Sequence, residues 1–303
     1  MRIMILGPTG QVGGMLVDEL SHDNRFKVIT MGRQQADICL EFDDLDEVAT
    51  QLTEHHPDII INAIAYTAVD KAESEPEVAF KINSDLPSIL SDWCELNGKL
   101  LIHYSTDFVF DGQKSEPWQE WDECHPLSVY GKTKLAGEKA IQLTSSSAVI
   151  LRTSWVYGET GNNFMKTMIR LGKERESLGV VSDQRGCPTY SRDIARATIS
   201  VIEQMTSDPE SFKGQQRIYH LCGSGEATWH GFAKEIFHQV NEYETLVLKT
   251  LNAITTEDYP TPAKRPPNSV MSCTEISNDM GVTMPAWEAS LEEAVSRLYS
   301  EHS

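Results

Sequence analysis

The sequence predicts an α/β protein with a doubly wound parallel sheet and a smaller C-terminal lobe. The first half alternates short apolar runs with helical patterns, which is the sequence form of strand–helix–strand units. Runs such as 59–61 and 100–102 are continuously apolar, as strands are when helices cover both faces of a sheet. The length of 303 residues exceeds that of a usual single domain, so a second unit is expected.

Five strands and four helices follow from these patterns in the first half. Val12, Leu16 and Leu20 lie at helical spacing and justify the first helix. The predicted strands are Arg2–Leu6, Lys27–Met31, Ile59–Asn62, Leu100–Ser105 and Ala148–Arg152. The predicted helices are Gln11–Leu20, Leu45–His55, Leu86–Asn97 and Lys132–Leu143.

The second half has a looser pattern. Glycine and asparagine in 158–163 predict a loop, and the prolines between 260 and 267 predict another, because proline breaks helices and central strands. Between them we predict a helix at Phe164–Leu171, a strand at Gly179–Ser182, a helix at Arg192–Met205, a strand at Arg217–Leu221 and a helix from near Thr228. We therefore predict one unit of residues 1–153 with about 179–213, and a smaller lobe of about 154–178 with 214–303.

Charge and cysteine usage exclude several classes of function. The chain has 26 basic and 45 acidic residues, and its net charge of -19 repels nucleic acid and anionic membrane surfaces. No apolar run is long enough for an export signal or a membrane span. The six cysteines lack the spacing of a zinc site, so we expect no metal ligands, reduced thiols and a cytoplasmic protein. An anionic ligand would need a locally positive or N–H-rich site.

A glycine-rich turn follows the first predicted strand. Three glycines occur at intervals of three residues, and the first helix begins within the same turn. Glycine lets the backbone approach a pyrophosphate, whose charge is then stabilised by free N–H groups at the start of the helix. We predict a dinucleotide-binding loop made of Gly7, Gly10, Gln11, Val12 and Gly13.

Arg33 indicates which dinucleotide is preferred. Dinucleotide folds that use NAD carry an acid at the end of the second strand, where it binds a ribose hydroxyl. Here that place holds Gly32 and Arg33, and a guanidinium pairs well with a 2′-phosphate. The sequence therefore favours NADPH, with NADH as the alternative. A solvated arginine with no cofactor role is the other interpretation.

A tyrosine and a lysine one helical turn apart are the candidate reactive groups. Tyr130 and Lys134 lie on one helix face, and a nearby cation lowers the pKa of a phenol from its usual ~10 toward neutrality. Thr106 follows the fourth strand, at the carboxyl edge where doubly wound sheets bind ligands. The glycine loop, the strand-end hydroxyl and the Tyr/Lys helix occur in an order that resembles that of short-chain dehydrogenases.

Several longer runs make the chain resemble the extended short-chain dehydrogenase/reductase family, whose members have a Rossmann fold. The matching runs are Gly7–Gly13, Ala65–Glu73, Tyr104–Gly112, Tyr130–Glu138, Arg152–Tyr157 and the Arg265-Pro266-x-Asn268-Ser269 motif. The resemblance is strongest to members that reduce the C4 ketone of dTDP-4-dehydro-L-rhamnose to dTDP-L-rhamnose. It implies an NAD(P)H-dependent oxidoreductase with a dTDP-sugar substrate.

The resemblance also implies roles for individual residues. Tyr130 would donate a proton to the developing alkoxide, Lys134 would hold the nicotinamide ribose and lower the tyrosine pKa, and Thr106 would hydrogen-bond the reacting carbonyl. Further cofactor contacts would come from Glu41, Phe42, Ala63, Ile64, Ala65 and Tyr104. Substrate contacts would come from Thr106, Asp107, Trp155 and Arg265, of which Arg265 is a reasonable partner for the diphosphate.

The chain departs from the family pattern at two positions, and two alternative functions stay open. Some members dimerise through a magnesium ion held by a glutamate, and that position is Met15 here, so magnesium is doubtful and a homodimer is undecided. Phe108 replaces the usual tyrosine after the Thr-Asp pair. The alternatives are another deoxysugar-nucleotide reductase or epimerase, and a non-catalytic regulatory subunit on the same fold.

Overall fold

A seven-stranded parallel sheet forms the centre of the computed structural model, which describes residues 1–42 and 44–300. The strands are β1 Arg2–Leu6, β2 Lys27–Gly32, β3 Ile38–Cys39, β4 Ile59–Asn62, β5 Leu100–Thr106, β6 Ser147–Thr153, β7 Val156–Tyr157, β8 Ser177–Val181, β9 Arg185–Gly186, β10 Thr189–Tyr190, β11 Gln216–His220, β12 Ala227–Thr228 and β13 Thr250–Ile254. The helices are α1 Gln11–Ser21, α2 Leu45–His55, α3 Val69–Ala72, α4 Pro76–Phe80, α5 Leu86–Asn97, α6 Val129–Gln142, α7 Phe164–Glu174, α8 Ser191–Ser207, α9 Pro209–Phe212, α10 Trp229–Val240, α11 Thr274–Met280 and α12 Trp287–Ser300. A π-helical turn at Lys81–Asp85 joins α4 to α5, and a 3-10 turn at Asp107–Val109 follows β5.

The strand order places the ligand crevice. The order is β11-β6-β5-β4-β1-β2-β3, and every neighbouring pair is parallel. The chain builds outward from β1 to β3 and then returns to β4 on the other side of β1. The loops after β1 and β4 therefore diverge, and such a switch point opens a crevice at the carboxyl edge of the sheet. The predicted doubly wound fold is confirmed.

Alternate residues of the central strands pack on opposite faces of the sheet. Ile3 and Ile5 belong to a core cluster with residues of α1 and α8, whereas Met4 and Leu6 pack against α2 and α5. All four side chains are fully buried. Burial of apolar surface on both faces explains why these strands have no polar alternation.

The sequence placed most of the long elements correctly. All five predicted strands of the first half are present, with ends that differ by one residue at most. The helix predicted from Lys132 instead begins at Val129, because the Ser128 hydroxyl caps it by accepting a hydrogen bond from the Gly131 N–H at 3.1 Å. The strand predicted at 179–182 is β8, which begins two residues earlier. The short strand β3 and the strand β13 were not predicted.

A third core cluster lies outside the sheet. It contains residues of α7, α10 and α12 and the parallel pair β8–β13. By contrast, β11 pairs with β6 and extends the central sheet. We keep the division into two units as a proposal, with β11 assigned to the nucleotide-binding unit and β8 to the smaller lobe. Within residues 1–42 and 44–300, no helix combines the length and apolar character that crossing a membrane requires.

Candidate active site

The loop after β1 is shaped so that only glycine fits at key positions. Gly7 has a φ of +82°, a left-handed conformation that side chains rarely adopt. A Cβ at Gly13 would lie 2.0 Å from the Gly7 carbonyl oxygen, so α1 packs directly on the turn. Gly10 caps α1 in an extended conformation, with its N–H donating to the Gly7 carbonyl at 3.1 Å. The cradle suits a diphosphate group, because bare backbone lines it and a helix N-terminus faces it.

Other predicted cofactor residues lie around this cradle. Ala63, Ile64 and Ala65 follow β4 directly, and a Cβ placed on Gly7 would lie 2.9 Å from Ile64 and 3.2 Å from Ala63. The Gln11 side chain accepts a hydrogen bond from Asn163 at 3.0 Å, which ties the loop before α7 to the cradle. The structure thus brings together the ends of β1 and β4 and the loop before α7.

The structure separates the predicted adenosine contacts into exposed and buried groups. Arg33 is exposed directly after β2, and Glu41 is exposed as well. Phe42 is only 5% exposed and packs in the core with α2, so any ligand contact there would come from its backbone. The acid of this loop, Asp37, accepts hydrogen bonds from the Thr30 backbone N–H and hydroxyl, both at 2.9 Å. The Asp37 carboxylate is therefore held against β2.

Helix α6 carries the Tyr/Lys pair and packs tightly below β5. The Tyr130 ring makes an edge-to-face contact with Phe108 at 5.7 Å between centroids. A Cβ at Gly131 would lie 2.3 Å from the Phe108 carbonyl oxygen, so the glycine permits the close approach of the helix. Phe108 keeps the ring that the usual tyrosine of the family would place here.

The strand-end residues Thr106 and Asp107 are buried beside Tyr130. The Thr106 hydroxyl donates to Asp107 Oδ1 at 3.1 Å and accepts from the Phe108 N–H at 3.2 Å. Asp107 Oδ2 makes no hydrogen bond with the described residues, although the Ser269 hydroxyl is near enough to stabilise the charge. Burial raises the pKa of Asp107 to about 6.

The pKa of Tyr130 differs from the sequence expectation. Burial raises it to about 12, the Thr106 hydroxyl opposes the rise, and the Asp107 carboxylate adds to it. The expected lowering of the Tyr130 pKa by Lys134 is therefore wrong. The phenol keeps its proton at neutral pH.

A buried polar chain, which the sequence did not suggest, holds Lys134. The ammonium donates to the Tyr104 carbonyl at 2.6 Å and contacts His103 Nε2 at 3.3 Å. His103 Nδ1 in turn lies 3.1 Å from the Asn62 amide. Burial lowers the pKa of Lys134 to about 8, although the negative charge of Glu138 acts to raise it. His103 and Asn62 could have been found as polar residues in otherwise apolar strands.

Tyr104 contributes its backbone carbonyl, rather than its side chain, to the surroundings of Lys134. Its hydroxyl hydrogen-bonds Thr198 at 2.7 Å on the opposite face of the sheet. Only the carbonyl of Tyr104 faces Lys134. A cofactor contact from this residue would therefore have to be made by the main chain.

Trp155 is held in an unusual conformation at the border of the smaller lobe. Its φ of +45° is a left-handed value, which is costly for a bulky side chain and is typical of functional sites. Its ring stacks on Trp229, with centroids 3.5 Å apart and planes 5° apart. A Cβ at Gly186 would come within 2.4 Å of the Trp155 ring, so glycine makes room for the indole.

A cavity of about 650 Å³ lies next to these indoles. Its wall combines aromatic side chains, apolar residues of β8 and α7, and three arginines; among its lining residues are Phe164, Arg170, Arg175, Val180, Trp229, Tyr259 and Arg265. Arg265 is one-quarter exposed and forms an ion pair with Asp70 at 2.9 Å. It also donates to the Thr261 hydroxyl. Asp70 of α3 thus fixes the guanidinium at the cavity wall.

Met15, the residue that makes magnesium doubtful in the sequence, is 6% exposed and packs in the core against the sheet. Among residues 1–42 and 44–300, no group of three or more His, Cys, Asp or Glu side chains is arranged to hold a metal ion.

The fold and the site define a class of protein. A glycine cradle at the switch point, a strand-end hydroxyl and a Tyr/Lys helix together are the arrangement of a short-chain dehydrogenase/reductase.

The chain matches the model of the family described as the RmlD substrate binding domain over residues 1–300. A dTDP-4-dehydrorhamnose reductase of Salmonella typhimurium is 40% identical over 301 residues, which is 99% of each chain. The chain belongs to this family.

Two solved structures agree with this assignment. A dTDP-4-dehydrorhamnose reductase from Clostridium acetobutylicum has a TM-score of 0.88 and 37% identity, covering 98% of this chain and 99% of that one. The enzyme of the same name from Bacillus anthracis, in complex with NADP, has a TM-score of 0.87 and 34% identity over the same shares.

Proposed function

We propose that the protein uses NADPH to reduce the C4 ketone of dTDP-4-dehydro-L-rhamnose to dTDP-L-rhamnose. The observation that carries the proposal is the meeting of Tyr130, Thr106 and Lys134 at the carboxyl edge of the sheet, beside the glycine cradle. The family membership supports the choice of substrate. The NADP complex of the Bacillus anthracis relative supports the choice of cofactor.

The cofactor would supply the hydride, and the protein's own groups position it. The turn at Gly7, Gly10 and Gly13 would bind the diphosphate, and Arg33 at the end of β2 would pair with the 2′-phosphate. Lys134 is oriented by the Tyr104 carbonyl and His103, which leaves its remaining donor capacity for ribose hydroxyls. Glu41, Ala63, Ile64 and Ala65 are the further cofactor contacts that we propose.

The proton would come from Tyr130. Because burial holds the pKa of this phenol at about 12, the donor form is fully populated at neutral pH. The Thr106 hydroxyl would hydrogen-bond the substrate carbonyl oxygen and orient it toward the phenol, and Tyr130 would deliver its proton to that oxygen as negative charge develops. The phenol is therefore present in the protonated form that the reduction of a ketone requires of its proton donor.

We assign the cavity to the nucleotide part of the substrate. The Trp229 and Phe164 rings offer flat apolar faces for a base, and three arginines offer charge for a diphosphate. Trp155 stacks on Trp229, and Asp107 lies beside Tyr130, so both are proposed as sugar contacts. The site therefore concentrates cations in a chain whose net charge is -19.

The proposal is tested by following NADPH oxidation with dTDP-4-dehydro-L-rhamnose made in situ. We expect a product with two more hydrogens, whose configuration at C4 is identified by NMR. An epimerase would give a product of unchanged mass. Absence of turnover with both NADPH and NADH would contradict the enzyme assignment and leave the regulatory subunit as the surviving alternative.

Arg33→Ala should raise KM for NADPH by about tenfold or more and leave KM for NADH almost unchanged. The reason is loss of a charge-assisted hydrogen bond to the 2′-phosphate, which is absent from NADH. Lys27→Ala is the matched control, because Lys27 is also exposed but lies at the amino end of the same strand. Equal effects of Arg33→Ala on both cofactors would contradict the role.

The rate of reduction should fall as pH rises through about 8. Burial lowers the pKa of Lys134 to about 8, so its positive charge is lost as pH rises above that value. We expect kcat/KM to fall up to about tenfold per pH unit on the alkaline limb. The profile is measured in steady state, with circular dichroism at each pH as a check on folding. A flat profile to pH 10 would exclude Lys134 as the controlling group.

We also propose a cytoplasmic location, which the free state of all six cysteines supports. A homodimer stays a prediction, and its test is the mass in solution.

A further inference from the structure

Three cysteines that the reduction does not use meet between β11 and α11. Cys222 follows β11 and is 1% exposed, Cys187 is buried beside it, and Cys273 lies at the start of α11. The Sγ atoms of Cys222 and Cys273 are 3.5 Å apart. A disulfide needs ~2.05 Å, so a shift of about 1.5 Å would close the bond. The two residues are 51 positions apart in the chain.

The two thiols differ in access. Cys273 is half-buried and lines an open cleft of about 370 Å³, together with Ser224, Thr274 and Asn278. Cys222 lines the same cleft but is only 1% exposed. A small oxidant can therefore reach the Cys273 thiol more easily than the buried Cys222 thiol.

Local hydrogen bonds also give the two sulfurs different chemistry. The Cys222 backbone N–H donates to Cys273 Sγ at 3.3 Å, and the Cys222 thiol donates to the Met271 carbonyl at 3.7 Å. Contact with Cys222 lowers the pKa of Cys273, whereas hydrogen bonds with Cys187 and Cys273, and then burial, raise the pKa of Cys222. Cys273 is thus the better nucleophile, because the thiolate is the reactive form.

We propose that Cys273 and Cys222 are a redox pair, in which hydroperoxides oxidise Cys273 and Cys222 then closes a disulfide. The Cys273 thiolate attacks the O–O bond, becomes a sulfenic acid and releases an alkoxide or hydroxide, which takes up a proton. The Cys222 sulfur attacks the Cys273 sulfur, the S–O bond breaks, and the thiol proton leaves with the hydroxide as water. Two cysteines are oxidised and one peroxide is reduced. A dithiol reductant reverses the step.

The test uses the whole protein in a Cys39→Ser background, which removes the exposed thiol that could link two molecules. After mild hydrogen peroxide treatment and alkylation, peptide mass spectrometry should find Cys222 joined to Cys273, with the loss of two hydrogens and full reversal by dithiothreitol. Cys94→Ser is the matched control, since Cys94 is buried elsewhere and should leave the cross-link unchanged.

Two variants identify the order of events. In Cys222→Ser the cross-link should vanish, and dimedone should label Cys273 as a sulfenic acid. In Cys273→Ser both the cross-link and the dimedone-labelled sulfenic acid should vanish. Because Cys273 is only half-buried, this variant is a second test that does not depend on replacing the fully buried Cys222. The proposal is overturned if Cys222 and Cys273 both stay reduced in the Cys39→Ser protein while its other thiols oxidise, or if Cys222 pairs with Cys187 instead. Neither readout depends on reductase activity.

Discussion

Replacing Tyr130 by phenylalanine should lower kcat by about 100-fold or more, which is the range expected when a positioned general acid is lost. Only the phenolic hydroxyl is removed, and the edge-to-face contact of the ring with Phe108 is kept. KM for the sugar nucleotide should change little, because the cavity that we assign to the nucleotide is lined by other residues. Steady-state kinetics under saturating NADPH measures both quantities.

The matched control is Tyr219→Phe. Tyr219 lies on β11, the edge strand of the sheet, and its hydroxyl donates a hydrogen bond to Asp279 at 2.9 Å. The substitution therefore also removes one tyrosine hydroxyl. We expect a small loss of stability and an unchanged kcat. If Tyr130→Phe kept the wild-type rate, another group would have to donate the proton, and Asp107, with its pKa raised to about 6, would be the next candidate.

The sequence was most informative where function depends on residues close together in the chain. The glycine cradle occupies one turn, and Tyr130 and Lys134 lie on one turn of α6. Parallel strands bring their carboxyl ends to the same edge, so Thr106 could be placed near the loop without any contact being known. These local patterns sufficed for the fold, and they placed the candidate reactive groups at one edge of the sheet.

The sequence was least informative about contacts made across the sheet. His103 contacts Lys134 because β5 packs against α6 in the folded chain. The Cys222–Cys273 pair likewise joins residues from separate segments. The effect of burial on the pKa of Tyr130 was missed as well. The spacing of Tyr130 and Lys134 suggested a lowered phenol pKa, but the desolvation that raises it depends on the packing of the whole site.

The position of cations in the fold is relevant to the proposed binding of anionic ligands by an acidic protein. Arg170, Arg175 and Arg265 share one cavity wall, and Asp70 holds the last of them in place. Long-range repulsion from a net charge of -19 is screened over ~8 to 10 Å at physiological ionic strength. We therefore propose that short-range, hydrogen-bonded arginines decide the binding of a diphosphate at this cavity.

Arg152→Met should destabilise the protein by about 3–5 kcal/mol, the usual cost of leaving one partner of a buried ion pair alone. Arg152 on β6 holds Glu138 of α6 through two bonds, Nη2 to Oε2 at 2.7 Å and Nε to Oε1 at 2.9 Å. Their side chains are 3% and 1% exposed. The Ser105 hydroxyl also donates to Glu138, so the pair joins β5, β6 and the helix that carries Tyr130. Urea unfolding monitored by tryptophan fluorescence measures the change.

A second substitution separates the ion pair from simple loss of packing. Glu138→Gln combined with Arg152→Met removes both charges and keeps an acceptor for Ser105, so we expect it to recover a large part of the lost stability. Lys249→Met breaks an exposed pair with Glu176 and should have no measurable effect. If the double variant were as unstable as Arg152→Met, the loss would come from the arginine's contacts with Phe110 and Cys124 rather than from an uncompensated charge.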